Sequence, residues 1–336
     1  MQPNKKFITI DNNISKIKAL LYELVLQPRL NAIKWSLITK QTPNIKIGYP
    51  GQHLASLITG MEGERTGARG NDLIDGSEVK SCSRIDQLDI CYDCKSPVAR
   101  LEEICSNCGS KNIDRKNDSK WLFSIRSKDE LNFLLHGVGR VLLVIGDYPD
   151  FENGNFEKIR FQAFEIWPEN KRNYRFAEIM ANYYNKIYLA HKKKNAGKNP
   201  APKNFWPYQY QFYICNPILI FSCLVTKANS NPKIEIQYYL EPSANREKQE
   251  SILMPASILN ELEMNLIFKK APKSEVIKVI KKDHLDKLRK LEKLTLKEKQ
   301  KMFIGINEEL RKVLPLRDTD KISTSKTKYL RRNHLK

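Results

Sequence analysis

The chain has 336 residues, 58 Lys+Arg against 38 Asp+Glu, a formal net charge of +20 and 41% hydrophobic residues. That length favours more than one folding unit, and the apolar fraction can build a real core, which excludes a disordered chain. The longest apolar stretch, Phe212 to Val225, is interrupted by Asn216-Pro217 and is too short to cross a bilayer, and no apolar run follows Met1-Gln2-Pro3-Asn4-Lys5-Lys6, so neither a membrane span nor a secretory signal is expected.

Residues 1–45 read as a helical preface. Ile17, Leu20, Leu21, Leu24 and Val25 recur at helical spacing, and Pro28 is expected to end the run. A second helix is expected from Gln52 to Met61, after the Tyr49-Pro50-Gly51 breaker. A polar, Gly-rich loop follows at 62–71. Leu73 to Lys80 then reads as a tight hairpin around Asp75-Gly76, a pair that tolerates positive φ. Residues 91–118 are short, polar and cysteine-bearing, an insertion between core elements. Beyond them the pattern predicts strands at Trp121–Ile125, Val141–Ile145 and Ile159–Trp167, with a helix at Asp129–Leu135. Residues 172–195 read as helical and 196–207 as a Pro-rich linker. Strands at 208–226 and 234–240 and a helix at 255–268 complete an α/β core.

The C-terminal segment is the most basic. Pro272 to Lys336 holds 20 Lys+Arg and 9 Asp+Glu, and six basic residues with no acidic one follow Asp320. Leu285, Leu288, Leu291 and Leu294 repeat every three residues, and Thr295 with Glu298 forms a capping-box pattern. The tail therefore reads as a helical, electrostatic arm for a polyanion such as nucleic acid. Three parts are expected: an N-terminal helical region at 1–45, a core at 46–271 interrupted by the 91–118 insertion, and the basic helical tail at 272–336.

Two motifs carry chemistry. Cys91-x2-Cys94-x10-Cys105-x2-Cys108 offers four thiolates from two tight turns, enough for a closed tetrahedral shell around one ion. Gly109 permits the positive φ that such a turn needs. A closed shell leaves no place for water, so the site is structural, a zinc ribbon or rubredoxin-like pair of knuckles; zinc and iron both accept four thiolates. Clustering in a chain without a secretion signal favours metal ligation in a reducing compartment over disulfides.

The second motif is Asp72-x5-Glu78-Val79-Lys80. Glu78 and Lys80 point to one face of a strand, and Asp72 can come round the turn beside them. Two carboxylates with one lysine suit Mg2+ held against a scissile phosphate: hard oxygen ligands, a metal that activates water, and a cation for the developing charge. The triplet alone is weak, since Asp114-Arg115-Lys116, Asp118-Ser119-Lys120 and Glu169-Asn170-Lys171 also occur. Those lack the turn and strand in front of them. Asp75 is a rival for the first carboxylate. Arg65, Arg69 and Arg84 flank the motif and are candidates for phosphate contacts, or are solvated loop arginines.

The run Gly67-Ala68-Arg69-Gly70-Asn71-Asp72 to Gly76-Ser77-Glu78-Val79-Lys80-Ser81-Cys82-Ser83-Arg84 resembles the PD-(D/E)xK nuclease core. Continued through Asp86-Gln87-Leu88-Asp89, the cysteine pairs, Asp118 to Phe123 and Phe164-Glu165-Ile166-Trp167, it resembles the MamI-type family of type II restriction endonucleases, best over roughly residues 50–170. Asn71 stands where the superfamily pattern has proline. The resemblance implies a central mixed sheet flanked by helices, a prokaryotic cytoplasmic location, and Mg2+-dependent cleavage of both strands of double-stranded DNA at a short site, leaving 5′-phosphate ends. It implies Asp72 and Glu78 as Mg2+ ligands with the Val79 backbone carbonyl, Lys80 as the residue that works on water, and Gln52 as an extra polar ligand; Gln52 otherwise reads as a surface residue of an amphipathic helix. It also implies a homodimer on a palindromic target and pairing with a DNA methyltransferase. The alternatives are a repair or nicking nuclease with the same core, and a zinc-ribbon nucleic-acid-binding protein without catalysis.

Overall fold

The computed structural model describes residues 1–320 apart from 40, 45, 66–70 and 196. Helix α1 (Asn13–Leu21) turns Ile17 and Leu21 inward. Pro28 does not end this run. A π turn at Tyr22–Leu26 precedes it, with the Gln27 N–H bonded to the Tyr22 carbonyl, and α2 (Gln27–Thr39) continues through the proline. The extra residue in a π turn re-phases the ladder ahead of the ring, which would otherwise meet a carbonyl one turn back. Helix α3 (Gly48–Thr59) begins before the expected breaker and takes Pro50 into its first turn, where a missing N–H costs nothing.

The strands and helices that follow are β1 (Glu78–Ser83), β2 (Asp89–Cys91), β3 (Pro97–Val98), β4 (Ile113–Asp114), β5 (Trp121–Phe123), α4 (Lys128–Asn132), β6 (Val141–Asp147) and β7 (Ile159–Ile166). Next come α5 (Tyr174–Asn182), α6 (Leu189–Lys194), β8 (Lys203–Phe205), α7 (Tyr210–Ile214), β9 (Ile218–Thr226), β10 (Lys233–Tyr239) and α8 (Glu261–Lys270). The central sheet is mixed, in the order β1-β6-β7-β9-β10. β1 runs parallel to β6, pairing Glu78 with Val141 and Lys80 with Leu143, and the other neighbours are antiparallel.

Every residue of β6 is buried, because apolar clusters cover both faces of the sheet. Leu142 and Val144 join Ile17, Leu21, Leu54 and Ile58 under α1 and α3. Val141, Leu143 and Ile145 join Trp121, Phe176 and Phe212 on the other side. Each fully buried aliphatic side chain there stabilises the fold by roughly 1.5–3 kcal/mol relative to exposure. β5 pairs with β8 and is tied to the sheet by Trp121, whose Nε1 donates to the Val144 carbonyl at 2.8 Å.

Four expectations are corrected. Leu73 to Lys80 is not a hairpin: Gly76, at φ +81°, closes a turn onto Leu73, and β1 then pairs with β6 far along the chain. The 196–207 linker contains β8. Residues 208–217 are not strand: α7 buries all five of its side chains, so period-two burial never arises, and Asn216 at φ +53° turns the chain into β9. The helix expected at 255–268 starts at Glu261, where Asn260 and Glu263 form a full capping box.

The basic segment is corrected too. α9 (Lys273–Val279), a 3-10 helix at Lys282–Lys293, α10 (Leu296–Met302) and α11 (Glu308–Arg311) pack against the sheet and are not a free arm. Val276, Val279, Ile280, Met302, Phe303, Ile306, Leu310 and Leu314 belong to the same apolar cluster as Leu143 and Phe164. The leucines spaced by three fit the three residues per turn of a 3-10 helix, and Leu288, Leu291 and Leu294 rest on that cluster. The six basic residues after Asp320 lie outside the described residues.

Candidate active site

Three elements meet at the start of β1. The turn at 72–77 carries Asp72, the edge strand β1 carries Glu78 and Lys80 on one face, and α3 lies against the other face. Gly51 allows that approach: a Cβ there would sit 2.0 Å from Ser81 Oγ. One helical turn places Gln52 beside the loop. Its Nε2 donates to Asp72 Oδ1 at 2.6 Å, and the Val79 N–H donates to Asp72 Oδ2 at 2.7 Å. Lys80 Nζ is paired with Glu78 Oε1, and it also lies 5.9 Å from the centre of the Phe123 ring. A cleft of about 510 Å³ opens over this face, lined by Glu78, Lys80, Phe123, Ser124, Asp129 and Phe133 among others.

The electrostatics are those of two carboxylates held partly out of water. Burial pushes the Asp72 carboxyl above its ordinary value, against the Val79 N–H and the Lys80 charge that favour the anion. Burial also raises Glu78, opposed by Lys80 and reinforced by the charge of Asp72. Each ionised carboxylate has about four lone-pair positions. Two on Asp72 are taken by Gln52 and Val79, which fix its orientation and leave oxygen free for a hard cation. The donor set therefore fits Mg2+.

The rival carboxylate faces away. Asp75 Oδ2 pairs with Arg140 Nη2 at 2.9 Å, and its Oδ1 accepts from the Ser77 N–H at 3.1 Å. Arg65 is exposed in the loop before the turn, and Arg69 lies outside the described residues. Arg84 is a correction. It is 7% exposed, donates to the carbonyls of Ser119 (3.4 Å) and Pro207 (3.3 Å), and stacks 5.8 Å from the Tyr208 ring. Those partners lie far along the chain and hold its side chain inward.

The four cysteines converge. Sγ atoms of Cys91, Cys94, Cys105 and Cys108 all lie within 4.8 Å of one another, a spacing that suits a tetrahedral ion with metal–sulfur bonds of about 2.3 Å. The two knuckles repeat each other. Cys91 N–H bonds the Ser96 carbonyl and Cys105 N–H the Ser110 carbonyl; Lys95 N–H returns to Cys91 and Gly109 N–H to Cys105. Lys95 (φ +62°) and Gly109 (φ +73°) occupy the same left-handed position, so glycine marked only one of the two. The side chains of Ser96 and Asn107 hold the Cys94 thiol well below the usual value, while hydrogen bonds from the other three cysteines push Cys108 up to about 12. A three-stranded sheet, β3-β2-β4, carries the cluster. Buried Asp89 bolts it in place, accepting from Arg115 Nη1 at 2.8 Å and the Lys116 N–H at 2.7 Å and pairing with Arg100.

A family model described as MamI restriction endonuclease matches residues 34–257. The chain belongs to the MamI restriction endonuclease family. The type II restriction enzyme MamI of Microbacterium ammoniaphilum is similar at 30% identity over 82 residues, 24% of this chain and 27% of that protein. The chain thus spans about a quarter of the length of the curated relative it matches. No solved structure matches it. The MamI family match takes in Gln52, Asp72, Glu78, Lys80 and all four cysteines, and stops before α8. Within the MamI-family region, sequence reasoning missed Arg140, Phe123 and Phe133. A lone arginine directly before the fully apolar run Val141–Ile145 was the available signal for Arg140; the two phenylalanines look like any core residue until the cleft is seen.

Proposed function

We propose that this chain is a Mg2+-dependent endonuclease of the PD-(D/E)xK type that cuts both strands of double-stranded DNA at a short specific site. The observation that carries this reading is the placing of Asp72, Glu78 and Lys80 side by side at the mouth of β1, with Glu78 and Lys80 lining an open cleft. Asp72, Glu78 and the Val79 carbonyl would hold Mg2+. The metal supplies charge neutralisation at the phosphate and a more acidic water. Lys80, kept between Glu78 and the Phe123 ring, orients the attacking water and offsets the negative charge that builds on the phosphate oxygens. Gln52 and the Val79 N–H keep Asp72 in one rotamer. Hydrolysis leaves a 5′-phosphate and a 3′-hydroxyl.

The cysteine cluster holds structural zinc. The ribbon's own apolar core is little more than Cys91, Val98 and Cys105, too small to fold without a metal. Arg65 and Arg69 are proposed phosphate contacts. A homodimer would match a palindromic target, and a methyltransferase protecting the same site is the expected functional partner. A cytoplasmic location accords with the absence, among the described residues, of any helix long and apolar enough to cross a membrane.

Digestion of phage DNA with Mg2+, followed by sequencing of the ends, tests activity, target and cut position together. Glu78→Ala and Lys80→Ala are each expected to lower cleavage by at least about 100-fold while binding to DNA in Ca2+ survives. Undiminished cleavage by either variant overturns the reading, and breaks in one strand only would favour a nicking enzyme.

A further inference from the structure

Arg140 stands immediately before β6, 1% exposed, and its contacts converge on the turn that carries Asp72. Its Nε donates to Ser77 Oγ at 2.7 Å, and its Nη2 pairs with Asp75 Oδ2 at 2.9 Å. Its backbone carbonyl accepts the Glu78 N–H at 3.0 Å, while the neighbouring Gly139 N–H donates to the Gly76 carbonyl at 3.1 Å. The turn is closed from within as well: the Asp72 N–H donates to the Ser77 carbonyl at 2.8 Å. The other end of the guanidinium is anchored in the sheet. Nη1 donates to Glu165 Oε1 of β7 at 2.8 Å. Glu165, wholly buried, also pairs with Arg246 at 3.1 Å and accepts from Trp167 Nε1 at 3.0 Å.

Stability alone is a weak reason for this arrangement, since a buried ion network repays its desolvation only when every partner is placed. Geometry is a better one. Asp72 comes from a turn and Glu78 from a strand; the Val79 N–H of β1 holds the Asp72 side chain, but the path of the turn that delivers Asp72 is set by contacts outside β1. Mg2+ demands near-ideal octahedral geometry, and a site loose by about an ångström binds it poorly. We propose that Arg140 and Asp75 form a positioning clamp that sets Asp72 against Glu78 before metal arrives. Arg140 touches neither substrate nor cleft; it acts through the turn. This inference rests on the reading of Asp72 and Glu78 as metal ligands.

The test uses the full chain with its cysteine site loaded with zinc, and Mn2+ binding measured by electron paramagnetic resonance of the free ion. Asp75→Asn leaves the Arg140–Glu165 pair intact while removing the charge that grips the turn. Arg140→Lys keeps the cation, and Arg140→Met removes it. The clamp predicts that Asp75→Asn and Arg140→Met weaken Mn2+ binding by about 10–100-fold, the range for partners that orient metal ligands. Arg140→Lys should fall between them and the unsubstituted chain. The KM for DNA should stay in place while kcat at fixed Mg2+ falls. If Arg140→Met fails to fold, Asp75→Asn and Arg140→Lys decide the matter. Folded Asp75→Asn and Arg140→Lys variants with unchanged Mn2+ affinity overturn the clamp, even if their melting temperatures drop. An unsubstituted chain that neither binds Mn2+ nor cuts DNA overturns the nuclease reading and the clamp together; one that does both, beside unaffected variants, overturns the clamp alone.

Discussion

Burial raises both Asp72 and Glu78 above their ordinary values, outweighing the Lys80 charge beside them. A carboxyl raised in the folded state stabilises the fold while protonated, and that contribution is lost as pH rises through the folded value. At neutral pH their ionisation therefore works against folding, a cost commonly found where function needs charge. Glu78→Gln is expected to melt higher than the unsubstituted chain at pH 7, with the gap shrinking as pH falls into the carboxylate range; calorimetry across pH checks it. The same raised values should shift the acid limb of the proposed cleavage to higher pH than unperturbed carboxylates would give, and more Mg2+ should move that limb downward by competing with protons. Rate profiles at two Mg2+ concentrations test this. The motif residues were legible because their chemistry is local, within nine positions of one another. Asp75 was not separable from Asp72 in sequence, since what divides them is Arg140, some 65 residues further on. Arg84 was misread for the same reason: Ser119 and Pro207 decide its direction, not its neighbours.

At the level of elements, the approach of α3 to β1 is set by one missing methyl group. Gly51→Ala would put its Cβ 2.0 Å from Ser81 Oγ and 2.7 Å from Ser81 Cβ. The strand that bears Glu78 and Lys80 would have to move, at a cost of about 1–3 kcal/mol. A loss of cleavage should accompany the lower melting temperature. Ser81→Gly removes both colliding atoms, and the Ser81 hydroxyl it deletes is buried without a hydrogen-bond partner. The double variant is therefore expected to recover most of what Gly51→Ala loses; additive losses in a double-mutant cycle would show that the contact is not what matters. Strands with a fully apolar run, such as β6, were readable directly. Helix boundaries at Pro28 and Pro50 were not, because a proline's effect depends on its place in the hydrogen-bond ladder: one follows a π turn and the other lies in a first turn. The 210–214 stretch misled because an aromatic-rich segment buried on every side has no period to read.

For the whole molecule, charge pointed to a polyanion but not to how the basic segment is built in. A chain ending at Ala271 would lose Met302, Phe303, Ile306, Leu310 and Leu314 from the main core. At about 2–5 kcal/mol for each large core side chain, the loss exceeds the 5–15 kcal/mol that typically holds a fold together, so this truncation is expected to yield no soluble folded protein. A chain ending at Asp320 keeps all of those contacts and sheds six cationic residues. It should therefore fold. Its DNA binding should depend less on salt, by up to ~5 units in the log–log slope if all six met phosphates. Titrating DNA binding against salt for this shortened chain and the 336-residue chain decides whether the tail contributes. The parallel pairing of β1 with β6 has a consequence for the time course of assembly. β6 and β7, like β9 and β10, are joined by short connections and can zip up from them, but β1 must wait for β6 across the whole ribbon insertion. Once β2, β3 and β4 are drawn together around an ion, the free chain left between the two strands is roughly halved, which lowers the closure cost by about 0.5 kcal/mol. Zinc would then speed the arrival of the strand that bears Glu78 and Lys80, and refolding without it should show a slower return of cleavage than of helical signal.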